Sequence, residues 1–405
     1  MEIGSIEYWK SLTEWPGLGR KLRILLFPPN QGGCAFYRVI NPGNKIKDMF
    51  SNVIDFRYNE NPLNLNTSSG VMLENDPTPD IDWADIVWTN NLSNYGANYV
   101  ARVCGLCREK KKLFHFDTDD LLTDLFEKHR LYGLYKEKNL DEITKFIYAN
   151  SDLVTVTQRK FAERVKPYCQ SGVLCMIKNA IDYSLPCWNG TKTMSPRKGM
   201  LRIGWVGGIH HEEDVKEFAG IPNLVNQKVG RENVFWGFYG RPPPDANDPN
   251  DWQQKVWDNY QKTLLAGFRG QSNWQIYPAL PSDQYGYMFT NIDVAIAPLQ
   301  MNEFNDSKSD IKVAECGRYR VPLVASNVGC YSDTIQNGKT GYLITPGDTK
   351  GWINALTKLI KDQKQTRQMG DNLHKITEEW FDLNKVVHER LNFYKFLIDE
   401  KGYKG

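Results

Sequence analysis

Leu22-Arg23-Ile24-Leu25-Leu26-Phe27 is a short apolar run that ends in Pro28-Pro29-Asn30-Gln31-Gly32-Gly33, and Cys34-Ala35-Phe36-Tyr37-Arg38-Val39-Ile40 then opens a helix-like segment. An apolar run of this length, closed by Pro and Gly, reads as a strand. Strand, Gly-rich turn and helix together open a doubly wound α/β unit. Outward from that unit the pattern repeats. Ile86-Val87-Trp88, Leu113-Phe114-His115-Phe116, Leu153-Val154-Thr155-Val156 and Val173-Leu174-Cys175-Met176-Ile177 are strand-like, and helix-like segments separate most of them. This alternation predicts a mainly parallel sheet with helices on both faces.

Between residues 185 and 200 the periodicity stops. The stretch is polar, carries Pro186, Gly190, Pro196 and Gly199, and reads as a linker. The scheme then restarts with Leu201-Arg202-Ile203-Gly204-Trp205-Val206, where Gly207-Gly208 turns the chain toward a helix near Asp214. Val234–Tyr239, Trp274–Tyr277, Val294–Ala297 and Pro322–Ser326 supply further strands, and Pro242 to Trp257 reads as a Pro/Asp/Asn-rich insertion. The expectation is an α/β chain of two Rossmann-like domains, 1–190 and 200–378, with a C-terminal helix in 379–405 packing back on the first. Doubly wound domains that face each other bring the carboxyl edges of both sheets to one cleft, where such sheets bind ligands.

The 405 residues and 46.7 kDa exceed one ordinary core. Lys+Arg 50 against Asp+Glu 48 gives a net charge of +2, which excludes a strongly basic nucleic-acid footprint over the whole chain. The opening MEIGSIEYWKSLTEW lacks the apolar stretch of a signal peptide, and no run reaches the length of a membrane span. Eight scattered cysteines fit a reducing compartment, so a cytoplasmic protein is expected. Cys104 and Cys107 form a lone C-x-x-C without a second pair, which reads as two small residues on a packed helix.

The strongest chemical signal is Asn305-Asp306-Ser307-Lys308-Ser309-Asp310-Ile311-Lys312-Val313-Ala314-Glu315. A helix begun near Ser307 would aim free backbone N–H groups from a strand's carboxyl end at an anionic diphosphate. Lys308 and Lys312, four apart, would share one face. Glu315, if buried, could accept both hydroxyls of a ribose. The alternative is a solvated helix with Lys312 and Glu315 paired on its surface.

Ile292-Asp293-Val294-Ala295-Ile296-Ala297-Pro298, the Lys308–Glu315 stretch, Val321–Ser326 and Ile335-Gln336-Asn337-Gly338-Lys339-Thr340-Gly341-Tyr342-Leu343 resemble the signature of family 4 glycosyltransferases. The resemblance implies the GT-B fold, an N-terminal acceptor domain, a C-terminal domain that holds a nucleotide-sugar donor (a UDP-sugar), and transfer with retention. The family's motif has two glutamates separated by seven residues; Glu315 matches the second, ribose-binding one, while Ser307 stands at the first and Ser309-Asp310-Ile311 replaces the customary Phe-Gly-Leu. Gly207-Gly208 stands where many relatives carry a basic pair for the diphosphate, leaving Lys308, Lys312 and Arg241 as its cations. The implied donor-binding set is Gly32, Gly33, Gly207, Gly208, Arg241, Ser307, Lys308, Ser309, Asp310, Lys312 and Glu315. The catalytic candidates are Asp119, His211 and Lys312.

His115-Phe116-Asp117-Thr118-Asp119-Asp120 resembles a D-x-D metal site, but helix N-termini and lysines can neutralise a leaving diphosphate, so no metal or other cofactor is expected. Gly33 to Pro42 is similar to glycosyltransferases carried by tailed phages, which would place the protein in a host cytoplasm and suggests a hydroxymethylated base in double-stranded DNA as acceptor. Arg108, Lys110 to Lys112 and Arg197-Lys198 would then bind its phosphates. A polysaccharide or protein acceptor is the alternative. A non-hydrolysing nucleotide-sugar epimerase and an inactive sugar-nucleotide-binding module are rivals from other classes, whereas no carboxylate pair for a glycoside hydrolase can be assembled.

Overall fold

A computed structural model describes residues 1–27, 33–59, 63–66, 71–74, 76–248 and 250–402. The N-terminal half contains β1 (Leu22–Phe27), β2 (Ile54–Tyr58), β3 (Leu63–Asn66), β4 (Val71–Glu74), β5 (Ile86–Thr89), β6 (Leu113–Asp117), β7 (Leu153–Val156) and β8 (Val173–Met176). Six of these form a sheet in the order β2-β1-β5-β6-β7-β8, parallel throughout. β3 and β4 form a separate antiparallel pair. The C-terminal half contains β9 (Leu201–Val206), β10 (Val234–Arg241), β11 (Trp274–Pro278), β12 (Val294–Ala297), β13 (Leu323–Ser326) and β14 (Gly341–Ile344). Its parallel sheet has the order β11-β10-β9-β12-β13-β14. Central strands such as β5, β6 and β12 are buried along their whole length, as a sheet covered on both faces requires.

Several elements differ from the sequence reading. β2 was not anticipated, because Ile54-Asp55-Phe56-Arg57-Tyr58 alternates as an edge strand does and carries two charges. The insertion after Pro242 is shorter than expected: Asp251 caps a helix over Trp252–Leu264 by accepting from the Gln253 and Gln254 N–H groups. The helix expected from Ser307 begins instead at Ile311. A short turn of helix, Glu303–Asp306, precedes it, and residues 307–310 are drawn aside by bonds from the other half of the molecule: Lys178 Nζ to Asp310 (2.7 Å) and Asn179 Nδ2 to Ser309 (3.0 Å). Lys308 therefore stands in the loop before the helix and not on it.

After the C-terminal sheet the chain returns to the first half. Ile181 N–H donates to Phe381 O (2.9 Å) and Leu383 N–H to Ile181 O (3.1 Å), which launches a helix over Leu383–Lys401. Leu383, Val387, Leu391, Tyr394 and Leu397 of this helix share one apolar core with Leu22, Ile24, Ile86, Leu113 and Leu153. A buried charge cluster fixes the join. Asp117 at the end of β6 receives Arg38 Nε (2.7 Å) and Nη2 on one oxygen, and Arg390 Nη1 (2.5 Å) and Trp88 Nε1 (3.2 Å) on the other. Burial alone would push the Asp117 carboxyl up, but the two guanidinium groups outweigh it and hold it down at about 2. All eight cysteines are free, and Cys104 and Cys107 are buried on the Ala97–Glu109 helix. Among the described residues no helix is long and apolar enough to cross a membrane.

Candidate active site

A cavity of about 350 Å³ lies where the carboxyl edges of the two sheets face each other. The N-terminal half lines it with Gly33, Cys34 and Tyr37 beyond β1, Asp119 and Asp120 beyond β6, and Asn179 beyond β8. The C-terminal half contributes Gly207, Gly208 and His211 beyond β9, Ser282 and Tyr285 beyond β11, and Lys308, Ser309, Lys312 and Glu315 beyond β12. Larger hollows exist, one of about 520 Å³ around Lys192 and Arg202 at the opposite edge of the second sheet. The cleft cavity is the one into which both sheets direct their carboxyl ends.

Glu315 sits in the second turn of the Ile311–Arg318 helix and is 2% exposed. Its Oε2 accepts from Lys312 Nζ at 2.6 Å, and its Oε1 accepts from the Tyr37 hydroxyl across the cleft at 3.1 Å. Lys312 Nζ also donates to the Tyr285 hydroxyl at 2.8 Å. Burial works against the charge on Lys312, but Glu315 and Tyr285 hold its pKa above the ordinary lysine value. The pairing expected of a solvated helix is present, yet it is buried in the cleft. Lys308 Nζ lies over the Phe304 ring (4.5 Å to its centre) and 4.0 Å from Asp120 Oδ1. It is the cleft cation less committed to a carboxylate.

The other predicted residues divide. Ser309 lines the cleft and accepts from Asn179. Gly208 and Gly33 have open space where a Cβ would stand, so ligand atoms can approach their backbone closely. Gly207 N–H is already given to Tyr239 O (3.1 Å), and a Cβ there would strike the Trp205 ring. Three residues stand outside the cavity lining. Arg241 is spent on Gln254 (2.6 Å) and Asp258 (2.9 Å), Ser307 is fully buried with its hydroxyl on Glu303 O, and Asp310 is fully buried between Lys178 and Thr334. Gly32 lies outside the described residues.

His211 is oriented as a working imidazole would be. Its Nδ1 pairs with Asp214 Oδ2 at 2.8 Å, and Asp214 is in turn fixed by Gln300 N–H (3.0 Å) and Asn305 Nδ2 (2.7 Å), leaving Nε2 as the ring nitrogen available to a ligand. Asp119 is 7% exposed; burial first, then the charge of Asp120, pushes its carboxyl up to about 7. Such a group is neutral when folded below that value, so ionising it costs stability progressively between the unfolded value near 3.8 and about 7. Asp119→Asn should therefore raise the melting temperature at pH 8 and leave it nearly unchanged at pH 4. Equal effects at both pH values would contradict this.

Cys34, Asp119 and Asp120 bring three ligand-type atoms within 4.8 Å of one another, the single such group among the described residues. The set suits a cation poorly. Burial and the two carboxylates push the Cys34 thiol well up, away from thiolate, and the Lys308 ammonium already faces Asp120. The sequence does not single out Cys34, Asn179, Ser282 or Tyr285; of Tyr37 and Arg38, which follow Gly33 and were both expected to be able to face a ligand, Tyr37 lines the cleft and Arg38 is buried on Asp117. Tyr285 carries no local signal, because its contact with Lys312 spans 27 residues. The Lys110–Lys112 run precedes β6 and so lies at the amino edge of its sheet, opposite the cleft; Lys110 is paired with Asp82 (2.6 Å). Arg197-Lys198 precedes β9 in the same sense.

Residues 254–375 match the family model of glycosyl transferases group 1. The two-domain fold is GT-B. Solved structures similar to it include sucrose-phosphate synthase from Thermosynechococcus elongatus (13% identity, TM-score 0.66, covering 94% of this chain and 100% of that one) and Anabaena HepE in complex with UDP and glucose (13%, 0.63, 93% and 100%). Among curated proteins, N-acetyl-alpha-D-glucosaminyl L-malate synthase of Bacillus anthracis is 34% identical over 95 residues, 23% of this chain and 24% of that protein. The capsular polysaccharide biosynthesis glycosyltransferase CapM of Staphylococcus aureus is 27% identical over 112 residues, 28% of each. The matched stretch thus spans about a quarter of the length of these curated relatives.

Proposed function

We propose that the protein is a nucleotide-sugar-dependent glycosyltransferase, that its donor is a UDP-sugar, and that its acceptor is a carbohydrate hydroxyl. The observation that carries the reading is Glu315: a carboxylate buried at 2% exposure that nonetheless lines a cleft, beside two lysines and the start of a helix. A carboxylate has about four lone-pair sites, of which Lys312 and Tyr37 take two, and a ribose diol offers two donors at once. The leaving diphosphate would meet Lys308, the N–H groups at the start of the Ile311–Arg318 helix and the open backbone at Gly208. In the retaining scheme the acceptor hydroxyl attacks from the face that the diphosphate vacates, and a phosphate oxygen takes its proton. His211 and Asp119 then position the sugar and the acceptor without forming a covalent bond.

The carbohydrate acceptor is supported by the likeness to CapM, a glycosyltransferase of capsular polysaccharide biosynthesis. The alternative of a hydroxymethylated DNA base in a phage setting rests on the Gly33–Pro42 likeness joined to Lys110–Lys112 and the scattered cysteines, and the basic runs that would hold phosphates lie at the sheets' amino edges. The deciding experiment is mass analysis of products from a panel of nucleotide sugars offered to oligosaccharides, hydroxymethylcytosine-containing duplex, native DNA or no acceptor. A glycosylated oligosaccharide supports the reading, and labelled duplex with a steep salt dependence replaces the acceptor. Consumption of donor to an isomeric nucleotide sugar with no acceptor present would indicate the epimerase. Turnover is further expected to survive exhaustive EDTA treatment; loss restored by Mg²⁺ or Mn²⁺ would give the Asp119–Asp120 cluster a metal.

A further inference from the structure

We propose that the Tyr37 hydroxyl is the resident occupant of Glu315, holding the carboxylate that receives the nucleotide's ribose diol until the nucleotide displaces it, and reclaiming it as the nucleotide leaves. The inference rests on the reading of Glu315 given above. Both oxygens of that carboxylate are engaged: Oε2 by Lys312 at 2.6 Å and Oε1 by Tyr37 at 3.1 Å. Lys312 is held a second time by Tyr285 (2.8 Å) and belongs to the same helix as Glu315. Tyr37 is held differently. It reaches Glu315 from the opposite half of the molecule, and this is the one bond its hydroxyl makes among the described residues.

The local backbone suits a side chain that must come and go. Tyr37 lies in a π-helical turn, Phe36–Ile40, a widened turn of a kind that is frequent at functional sites. Arg38, the next residue, is pinned to Asp117 and to Ile177 O (2.6 Å), so the backbone of the turn is fixed and movement is left to the Tyr37 ring. Burial and the neighbouring carboxylate push the phenol up, which keeps it a proton donor to Glu315 at neutral pH. A ligand diol therefore gains only the difference between its own bonds to Glu315 and the tyrosine's. A ligand without the diol leaves the tyrosine where it is.

The test is calorimetric titration of UDP and of 2′,3′-dideoxy-UDP into the full-length wild type, Tyr37→Phe and Glu315→Gln. Removing one hydroxyl that bonds a carboxylate should tighten UDP binding about tenfold, while dideoxy-UDP binds wild type and Tyr37→Phe equally. Unchanged or weaker UDP binding by Tyr37→Phe, or an equal gain for the dideoxy ligand, overturns the proposal. If UDP binds the wild type and Glu315→Gln loses it while Tyr37→Phe behaves as wild type, only the tyrosine's role fails. If wild type and Glu315→Gln bind UDP equally, or neither binds it, the reading of Glu315 fails and this inference with it.

Discussion

Glu315→Ala is expected to lower nucleoside diphosphate affinity by about tenfold to a hundredfold and to destabilise the fold at the same time. The binding loss is the value of the diol's two hydrogen bonds to a charged, buried acceptor, each about 1.5–3 kcal/mol, less the one bond that Tyr37 gives up to make room for them. The stability loss follows from what remains. Lys312 Nζ is 2.6 Å from Glu315, in a side chain only 16% exposed, so the variant leaves an ammonium in the cleft wall without its counter-charge. Breaking one side of a buried pair costs roughly 3–5 kcal/mol, and the partial exposure of Lys312 points to the lower end. Glu315→Gln separates the two effects, since it keeps the shape and an acceptor for Lys312 while removing the charge. It should melt closer to wild type than the alanine variant and still bind nucleotide poorly. If Glu315→Ala melts with the wild type and keeps affinity within about twofold, which is less than one such bond is worth, the assignment of Glu315 is wrong.

Arg390→Met should produce the largest loss of stability outside the cleft. Arg390 is 1% exposed, its guanidinium lies 4.3 Å above the Trp88 ring, and it shares the fully buried Asp117 with Arg38. Methionine retains much of the apolar stem but leaves Asp117 with half its compensation, at a cost of about 3–5 kcal/mol and a fall in melting temperature on the order of 10 °C. The pH dependence checks the cause. Asp117 is held at about 2 against an ordinary 3.8, so its contribution is complete above 3.8 and disappears as pH falls through about 2. The difference between variant and wild type, measured by urea unfolding, should be full at pH 7 and shrink toward pH 2. A difference that is constant over that range would mean that Arg390 acts through packing alone.

The fold was largely legible, because both sheets are built from short apolar runs bounded by Gly and Pro, and burial on both faces demands such runs. β2 escaped because an edge strand alternates and can carry charge. The helix start at Ser307 was misjudged for a different reason. Ser307 and Asp310 have the composition of a helix cap, but Lys178 and Asn179, distant in sequence, hold Ser309 and Asp310 in a loop. The same limit governs the site. Lys308, Ser309, Lys312 and Glu315 lie within eight positions and could be read together. Tyr37 reaches Glu315 from 278 residues away, and Asn179 reaches Ser309 from 130 away; neither contact has a trace in local spacing. Arg241 looked like a free cation because its partners Gln254 and Asp258 lie on the Trp252–Leu264 helix, whose first six residues fall in the stretch that reads as an insertion.

The most direct measurement is a crystal structure of the protein grown with UDP. The account predicts the nucleotide in the cleft between the two sheets, with its ribose hydroxyls on Glu315, its diphosphate within hydrogen-bonding reach of Lys308 and the start of the Ile311–Arg318 helix, and Tyr37 released from the carboxylate. A nucleotide bound elsewhere, for example in the hollow around Lys192 and Arg202, or one lying in the cleft with Glu315 still bonded only to Lys312 and Tyr37, would contradict it.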